Sequence, residues 1–85
     1  MTVREIVLAR GALRALFGAG SSGLGADALA EQAGTFAETI LSHLERTWLE
    51  RTLLSRGWAE RWTDPLTGNT RLTLTERGHL ALGAL

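Results

Sequence analysis

Apolar residues recur at spacings of three and four along the first part of the chain, a pattern that predicts an amphipathic helix. Thr2 and Glu5 have the spacing of a capping box, so the helix should begin there. It should run to about Phe17, because segment 18–25 (GAGSSGLG) is too rich in glycine and serine to stay helical. A second, weaker apolar row would belong either to the core periphery or to a dimer contact: Leu8, Ala12 and Ala15.

Two further helices are predicted between the glycine-rich segment and Gly57. Asp27–Ala33 has the pattern of a short helix, and Gly34 would end it in a left-handed conformation. Thr35 and Glu38 repeat the capping-box spacing, so a new helix is expected to start directly after that glycine. A helix, a tight glycine turn and a second helix are typical of a helix-turn-helix.

The third helix is expected to span residues 36–56, and its apolar stripe changes direction near Trp48. Leu49 and Leu53 lie round the helix from the apolar residues that precede them. Either the helix kinks or splits there, or its second half contacts a partner such as another subunit. Leu8, Leu49 and Leu53 are therefore the candidate dimer-interface residues.

The pattern changes from helical to extended after Gly57, which predicts two short strands at residues 58–63 and 70–74. The linking segment 64–69 (DPLTGN) contains proline, glycine and asparagine, and its length suits a projecting wing. Thr75 would cap a last helix. Taken together, the 85 residues predict one mainly α domain, 1–85, with a small β-hairpin: a winged helix-turn-helix.

Residues 53–61 (LLSRGWAER), 63–65 (TDP) and 71–78 (RLTLTERG) resemble the MarR-type winged-helix transcriptional regulators. The resemblance covers about the last third of the chain. It implies a DNA-binding regulator with a wing arginine at Arg71 that reaches phosphate or the minor groove. The chain departs from the family pattern between Gly34 and Gly57, where the interval is longer by more than one helical turn.

Composition bears on partners and location. The chain has nine acidic and nine basic residues, all of the basic ones arginine, and this zero net charge weakens a nucleic-acid reading even though arginine suits phosphate and guanine. The absence of cysteine excludes disulfides, thiolate nucleophiles and cysteine-based zinc sites. No apolar run approaches the roughly 18 residues that span a bilayer, so no membrane partner and a cytoplasmic location are expected.

A helix that starts at Thr35 would present its exposed arc to the major groove of DNA. That arc holds Thr35, Thr39, Ser42, His43 and Arg46, and the wing adds Thr67, Asn69 and Arg71. The alternative is an ordinary solvated surface, on which Arg61 and Arg71 pair with Glu60 and Asp64 across the hairpin.

Other chemistry finds little support in the sequence. Segment 18–23 matches G-x-G-x-x-G but follows a helix, so it is interpreted as a linker. With only His43 and His79 and no cysteine, neither a metal site nor a catalytic constellation is expected, and no cofactor is predicted. The predicted function is a dimeric DNA-binding transcriptional regulator without enzymatic activity. The alternative is a winged-helix protein-interaction or dimerisation module that does not bind DNA.

Overall fold

The structure, a computed structural model, describes residues 1–85 as four helices and one antiparallel β-hairpin. In chain order the elements are α1 (Val3–Ala19), a 3₁₀ turn (Gly20–Ser22), α2 (Ala26–Ala37), α3 (His43–Ser55), β1 (Ala59–Thr63), β2 (Thr70–Leu74) and α4 (Glu76–Ala84). The predicted class, mainly α with a small hairpin, is confirmed. None of the helices combines the length and apolar character that crossing a membrane requires.

Helix α1 begins at the predicted capping box. The Thr2 hydroxyl accepts a hydrogen bond from the Glu5 amide at 3.1 Å, and the Glu5 carboxylate accepts one from the Thr2 amide at 2.8 Å. The helix continues two residues beyond Phe17 and ends at Gly20, whose φ of 62° suits glycine.

Helix α1 lies at the centre of the packing and contacts α2, α3, α4 and β2. Its inward residues are all buried: Leu8, Ala9, Gly11, Ala12, Leu13, Ala15 and Leu16. Gly11 lies where α1 and α2 approach most closely, since a Cβ there would stand 2.7 Å from the Ala33 carbonyl oxygen. The row of Leu8, Ala12 and Ala15 therefore forms the core of the single chain.

The predicted dimer-interface residues Leu8, Leu49 and Leu53 are all fully buried within one chain. Leu49 and Leu53 lie on the inward face of α3 and join the same apolar cluster as α1. Their assignment to a dimer interface is wrong, because the change in direction of the apolar stripe has another cause. Residues 36–37 belong to α2 and residues 38–42 to a turn, so the apolar residues that precede Leu49 do not all lie on one helix.

The boundary between α2 and α3 differs from the prediction. Gly34 does not end a helix; it lies inside α2, where a Cβ would collide with the Thr39 carbonyl oxygen of the returning chain. Thr35 donates a hydrogen bond to the Glu31 carbonyl oxygen at 3.1 Å instead of capping a helix. The left-handed residue is Glu38, with φ 57°, and α3 starts only after Ser42. The predicted helix start at Thr35 and the continuous helix 36–56 are therefore wrong.

The hairpin forms close to the predicted bounds, with Ala59 opposite Leu74 and Thr63 opposite Thr70. An isolated bridge joins Leu24 to Leu72, with both amides donating across it at 2.8–2.9 Å, so the connection between α1 and α2 extends the sheet at β2. Gly23 is required beside this bridge, because a side chain there would run into the Leu72 carbonyl.

Helix α4 starts as predicted at Thr75, whose hydroxyl accepts from the Gly78 amide at 3.0 Å and donates to the Gly57 carbonyl. Gly78 is buried against the Trp58 carbonyl, which also accepts from the Thr75 amide at 3.1 Å. The expected role of Thr75 as the cap of this helix is confirmed.

Candidate nucleic-acid interface

The start of α3 is fixed by a second capping box. The Ser42 hydroxyl accepts from the Glu45 amide at 3.1 Å, and the Glu45 carboxylate accepts from the Ser42 amide at 3.0 Å. Arg4 of α1 donates two further hydrogen bonds to the same carboxylate, at 2.5 and 3.0 Å, and one to the Thr39 hydroxyl at 3.3 Å. Arg4 therefore links α1 both to the connection between α2 and α3 and to the first helical turn of α3.

These contacts stabilise the ionised form of Glu45. The Arg4 side chain, followed by the Ser42 amide, lowers the pKa of Glu45 from 4.5 to about 2, and Glu45 raises the pKa of Arg4. The Thr2 amide similarly lowers the pKa of Glu5 at the start of α1. Glu45 is therefore committed to an internal contact and is not a free carboxylate on the outer face of α3.

Helix α3 buries Leu49 and Leu53 and leaves a mainly polar outward face, on which Leu44 is the one strongly exposed leucine. Ser42, His43, Arg46 and Thr47 are exposed along the first turns. The Thr47 hydroxyl donates to the His43 carbonyl at 3.2 Å and keeps its lone pairs free as acceptors. This outward face combines a guanidinium, an imidazole and hydroxyls, the groups that contact base edges and phosphates.

The N-terminus of α2 lies between α3 and the hairpin. On one side, Asp27 shares a cleft with His43 and Arg46, and its carboxylate lies 3.7 Å from the Arg46 guanidinium. On the other side, the segment 24–28 shares a cleft with Asn69 and Arg71. The first turns of α3 and the base of the hairpin loop therefore flank the same helix end.

The hairpin contributes two arginines, Arg61 and Arg71, and the carboxylate of Asp64. Arg61 reaches across to α3, where its guanidinium lies 3.4 Å from the Glu50 carboxylate. Arg71 is exposed and forms no ion pair. The alternative pairing of Arg61 and Arg71 with Glu60 and Asp64 across the hairpin does not occur. Asp64 instead accepts from the Leu66 amide at 2.8 Å and helps to shape the loop.

The loop itself is built from local hydrogen bonds. The Asp64 amide donates to the Asn69 carbonyl, and the Gly68 amide donates to the Asp64 carbonyl, both at 2.8 Å. The Thr67 hydroxyl accepts from the Asn69 amide at 3.2 Å. Thr67 and Asn69 are exposed on this loop, which projects from the end of the hairpin.

The structure brings together four of the residues named from sequence: His43, Arg46, Asn69 and Arg71, which line clefts on the two sides of the N-terminus of α2. Ser42 precedes His43 as the N-cap of α3, with its hydroxyl bonded to the Glu45 amide. Thr67 extends the set along the loop. The remaining two do not join it as proposed. Thr35 lies within α2 with its hydroxyl bonded to its own helix, and Thr39 lies in the turn with its hydroxyl bonded to Arg4.

Sequence reasoning missed Thr47 and the pairing of Arg61 with Glu50. The signal that locates Thr47 is present in the sequence, because Ser42 and Glu45 also have capping-box spacing. A helix counted from Ser42 places residues 43, 46, 47 and 50 on one arc. The pairing of Arg61 with Glu50 joins different elements and has no local signal.

Comparison of the chain with protein-family models, with curated proteins and with solved structures finds no match in any of the three.

Proposed function

We propose that the chain is a winged helix-turn-helix domain that binds duplex DNA and acts as a transcriptional regulator, with α3 as the recognition helix and the hairpin loop as the wing. The observation that carries this proposal is the polar face formed by His43, Arg46 and Thr47 on the first turns of α3, beside the N-terminus of α2 and Arg71. The resemblance of residues 53–78 to MarR-type regulators supports the same proposal.

The geometry suits a DNA major groove for physical reasons. That groove is about 12 Å wide and admits one helix, whose N-terminal residues then lie near the base edges. In this proposal Arg46 binds guanine or a phosphate, and Thr47 and His43 lie within one turn of it. Asn69 and Arg71 would contact the backbone or the adjacent minor groove from the wing.

Two arginines at or near this surface, Arg46 and Arg61, form ion pairs in the protein without DNA. The pairs of Arg46 with Asp27 and of Arg61 with Glu50 are solvent-exposed, at 3.7 and 3.4 Å, so each contributes little to stability. A phosphate replaces such a partner at small cost, because its bidentate hydrogen bonds to arginine are stronger. The carboxylates therefore reduce non-specific attraction without blocking a fitted duplex.

The alternative function, a protein-interaction module, requires Leu49 and Leu53 to form a contact surface. Both side chains are buried in the core. That surface is therefore not accessible to a partner, and DNA binding remains the function that we propose.

The first test measures binding of the folded protein to a random duplex by fluorescence anisotropy. The salt concentration is raised from about 50 to 200 mM during the series. We expect affinity to fall with salt. On a random duplex Arg46→Ala and Arg71→Ala should each weaken binding and reduce the salt slope by about one, because each removes one phosphate contact. Thr47→Ala should have a smaller effect.

The matched control is Arg77→Ala, which removes an exposed arginine of α4 that forms no ion pair. It carries the same change of net charge as Arg46→Ala but lies outside the proposed interface. Equal losses of affinity in the two variants would contradict the pose, and no binding by folded wild-type protein at low salt would contradict the function.

A further inference from the structure

A cleft of about 590 Å³ lies between the C-terminal end of α1 and the hairpin. Phe17, Gly20 and Ser21 border it from α1 and the 3₁₀ turn, and Glu60 and Trp62 border it from β1. It shares no residue with the two clefts beside the N-terminus of α2. Small-molecule sites are clefts of about 300–1,000 Å³ that combine aromatic side chains with a few polar groups. This cleft has that size and that kind of lining.

Two aromatic side chains of the cleft keep much of their surface in solvent. Phe17 is 56% exposed and Trp62 is 46% exposed. The Phe17 ring contacts His79 of α4, with centroids 5.4 Å apart, whereas Trp62 has no aromatic partner. No guanidinium lies over either ring, since the one arginine–aromatic contact of the chain is that of Arg56 with Trp58. Both rings therefore have surface free for a ligand, and the negative face of an aromatic ring attracts cations.

Glu60 supplies the unpaired charge of the cleft. It lies on the same face of β1 as Trp62, and Thr73 of β2 stands opposite it. Its side chain is exposed and forms no ion pair within the chain. Arg61 also borders the cleft, but its guanidinium lies 3.4 Å from the Glu50 carboxylate of α3. The charge left free to meet a ligand is therefore negative.

The end of α1 adds to this negative character. A helix carries partial negative charge at its C-terminus, and the last turn of α1 contains no basic residue. Arg71, which pairs opposite Trp62, lines the separate cleft beside segment 24–28. A carboxylate, a helix C-terminus and two aromatic rings all favour a cation. The rings also favour a cation with an apolar surface over a hydrated metal ion.

We propose that this cleft binds a small organic cation of the quaternary ammonium class. Glu60 balances the charge of the ligand, and Trp62 and Phe17 contact its apolar surface. Ser21 and Thr73 provide hydroxyls for a polar substituent. Because the cleft is open to solvent, we expect a dissociation constant of about 1 mM. The proposal goes beyond DNA binding and does not depend on it.

The test is an NMR titration of the full chain with phenyltrimethylammonium, without DNA. The indole N–H signal of Trp62 should shift, whereas that of Trp48, which packs against the core from α3, should not. Cumyl alcohol has nearly the same shape as this cation but no charge, and benzenesulfonate has the opposite charge. We expect the alcohol to bind about tenfold more weakly than the cation, and the sulfonate not to bind.

Two variants test the assigned side chains. Glu60→Gln removes the charge and keeps the shape, so it should weaken binding of the cation about threefold and leave binding of cumyl alcohol unchanged. Trp62→Leu removes the aromatic face and should weaken binding of the cation about threefold. Both residues are exposed on the hairpin, so both variants should fold. The matched control is Glu31→Gln, which makes the same change of net charge on α2, outside the cleft.

Equal affinity for the cation and for cumyl alcohol would overturn the proposal, as would equal affinity of Glu60→Gln and Glu31→Gln for the cation. A cation that shifts the Trp48 signal and leaves that of Trp62 in place binds at another site, which would also overturn it. So would the absence of any shift in the wild type. Because no DNA is present, these outcomes are independent of those of the DNA-binding test.

Discussion

Glu45 illustrates how one side chain links two parts of the molecule. Its carboxylate closes the capping box of α3 with Ser42 and also binds Arg4 of α1. The capping spacing is a local property that the sequence displays. The contact with Arg4 joins residues 41 positions apart, and it fixes the position of α3 relative to α1.

The lowered pKa of Glu45 predicts a specific acid sensitivity. The pKa is about 2 in the folded protein and 4.5 in the reference state, so the contribution of Glu45 to stability is fully present above pH 4.5 and is lost as pH falls towards 2. Glu45→Gln should lower stability at neutral pH and flatten its dependence between about pH 5 and 2. Urea unfolding at several pH values measures this.

The control for that experiment is Glu31→Gln, which replaces an exposed carboxylate that has no ion-pair or hydrogen-bond partner within the chain. Its pH profile should follow that of wild type. An unchanged profile in Glu45→Gln would show that the contact with Arg4 does not stabilise the fold.

Gly78 and Gly83 of α4 make a matched pair of glycines on one helix. A Cβ at Gly78 would collide with the Trp58 carbonyl, whereas a Cβ at Gly83 would meet no atom within 4 Å. We expect Gly78→Ala to cost about 1–3 kcal/mol through overpacking and Gly83→Ala to stabilise by up to about 1 kcal/mol through helix propensity. Denaturant unfolding compares the two, and equal effects would contradict the close packing of α4 on the hairpin.

At the scale of elements, the chain offers two capping boxes for the start of α3 and uses only the second. Thr35 and Glu38 have the required spacing, but the chain at Gly34 packs against the Thr39 carbonyl while still helical. Ser42 and Glu45 gain the additional contact with Arg4. Tertiary packing therefore selects between two local signals of similar strength.

Substitution of the two candidate caps distinguishes these alternatives directly. Ser42→Ala should cost about 1 kcal/mol, because it removes the acceptor for the Glu45 amide at the start of α3. Thr35→Ala should be close to neutral, since Thr35 lies in the last turns of α2 and alanine is the better helix former. The free energies of unfolding are measured with a chemical denaturant. If α3 began at Thr35, Thr35→Ala would lower the free energy of unfolding more than Ser42→Ala.

At the scale of the whole molecule, positive and negative charges balance, and three of each lie in ion pairs. Glu45 is bound to Arg4 and the carboxylates of Asp27 and Glu50 lie beside arginines, while Arg71 has no ion-pair partner. Long-range attraction to DNA is therefore weak, and the proposed binding depends on a few fitted contacts.

The sequence by itself determined the features that depend on neighbouring residues: the caps at Thr2 and Thr75, the loop at 64–69, and the succession of helices followed by a hairpin. Such features arise from hydrogen bonds and side-chain periodicity within a few positions. Only the tertiary structure decided where α2 ends and α3 begins, that Leu49 and Leu53 are buried, and that Arg61 pairs with Glu50. These outcomes depend on contacts between elements distant in sequence, and no local pattern encodes them.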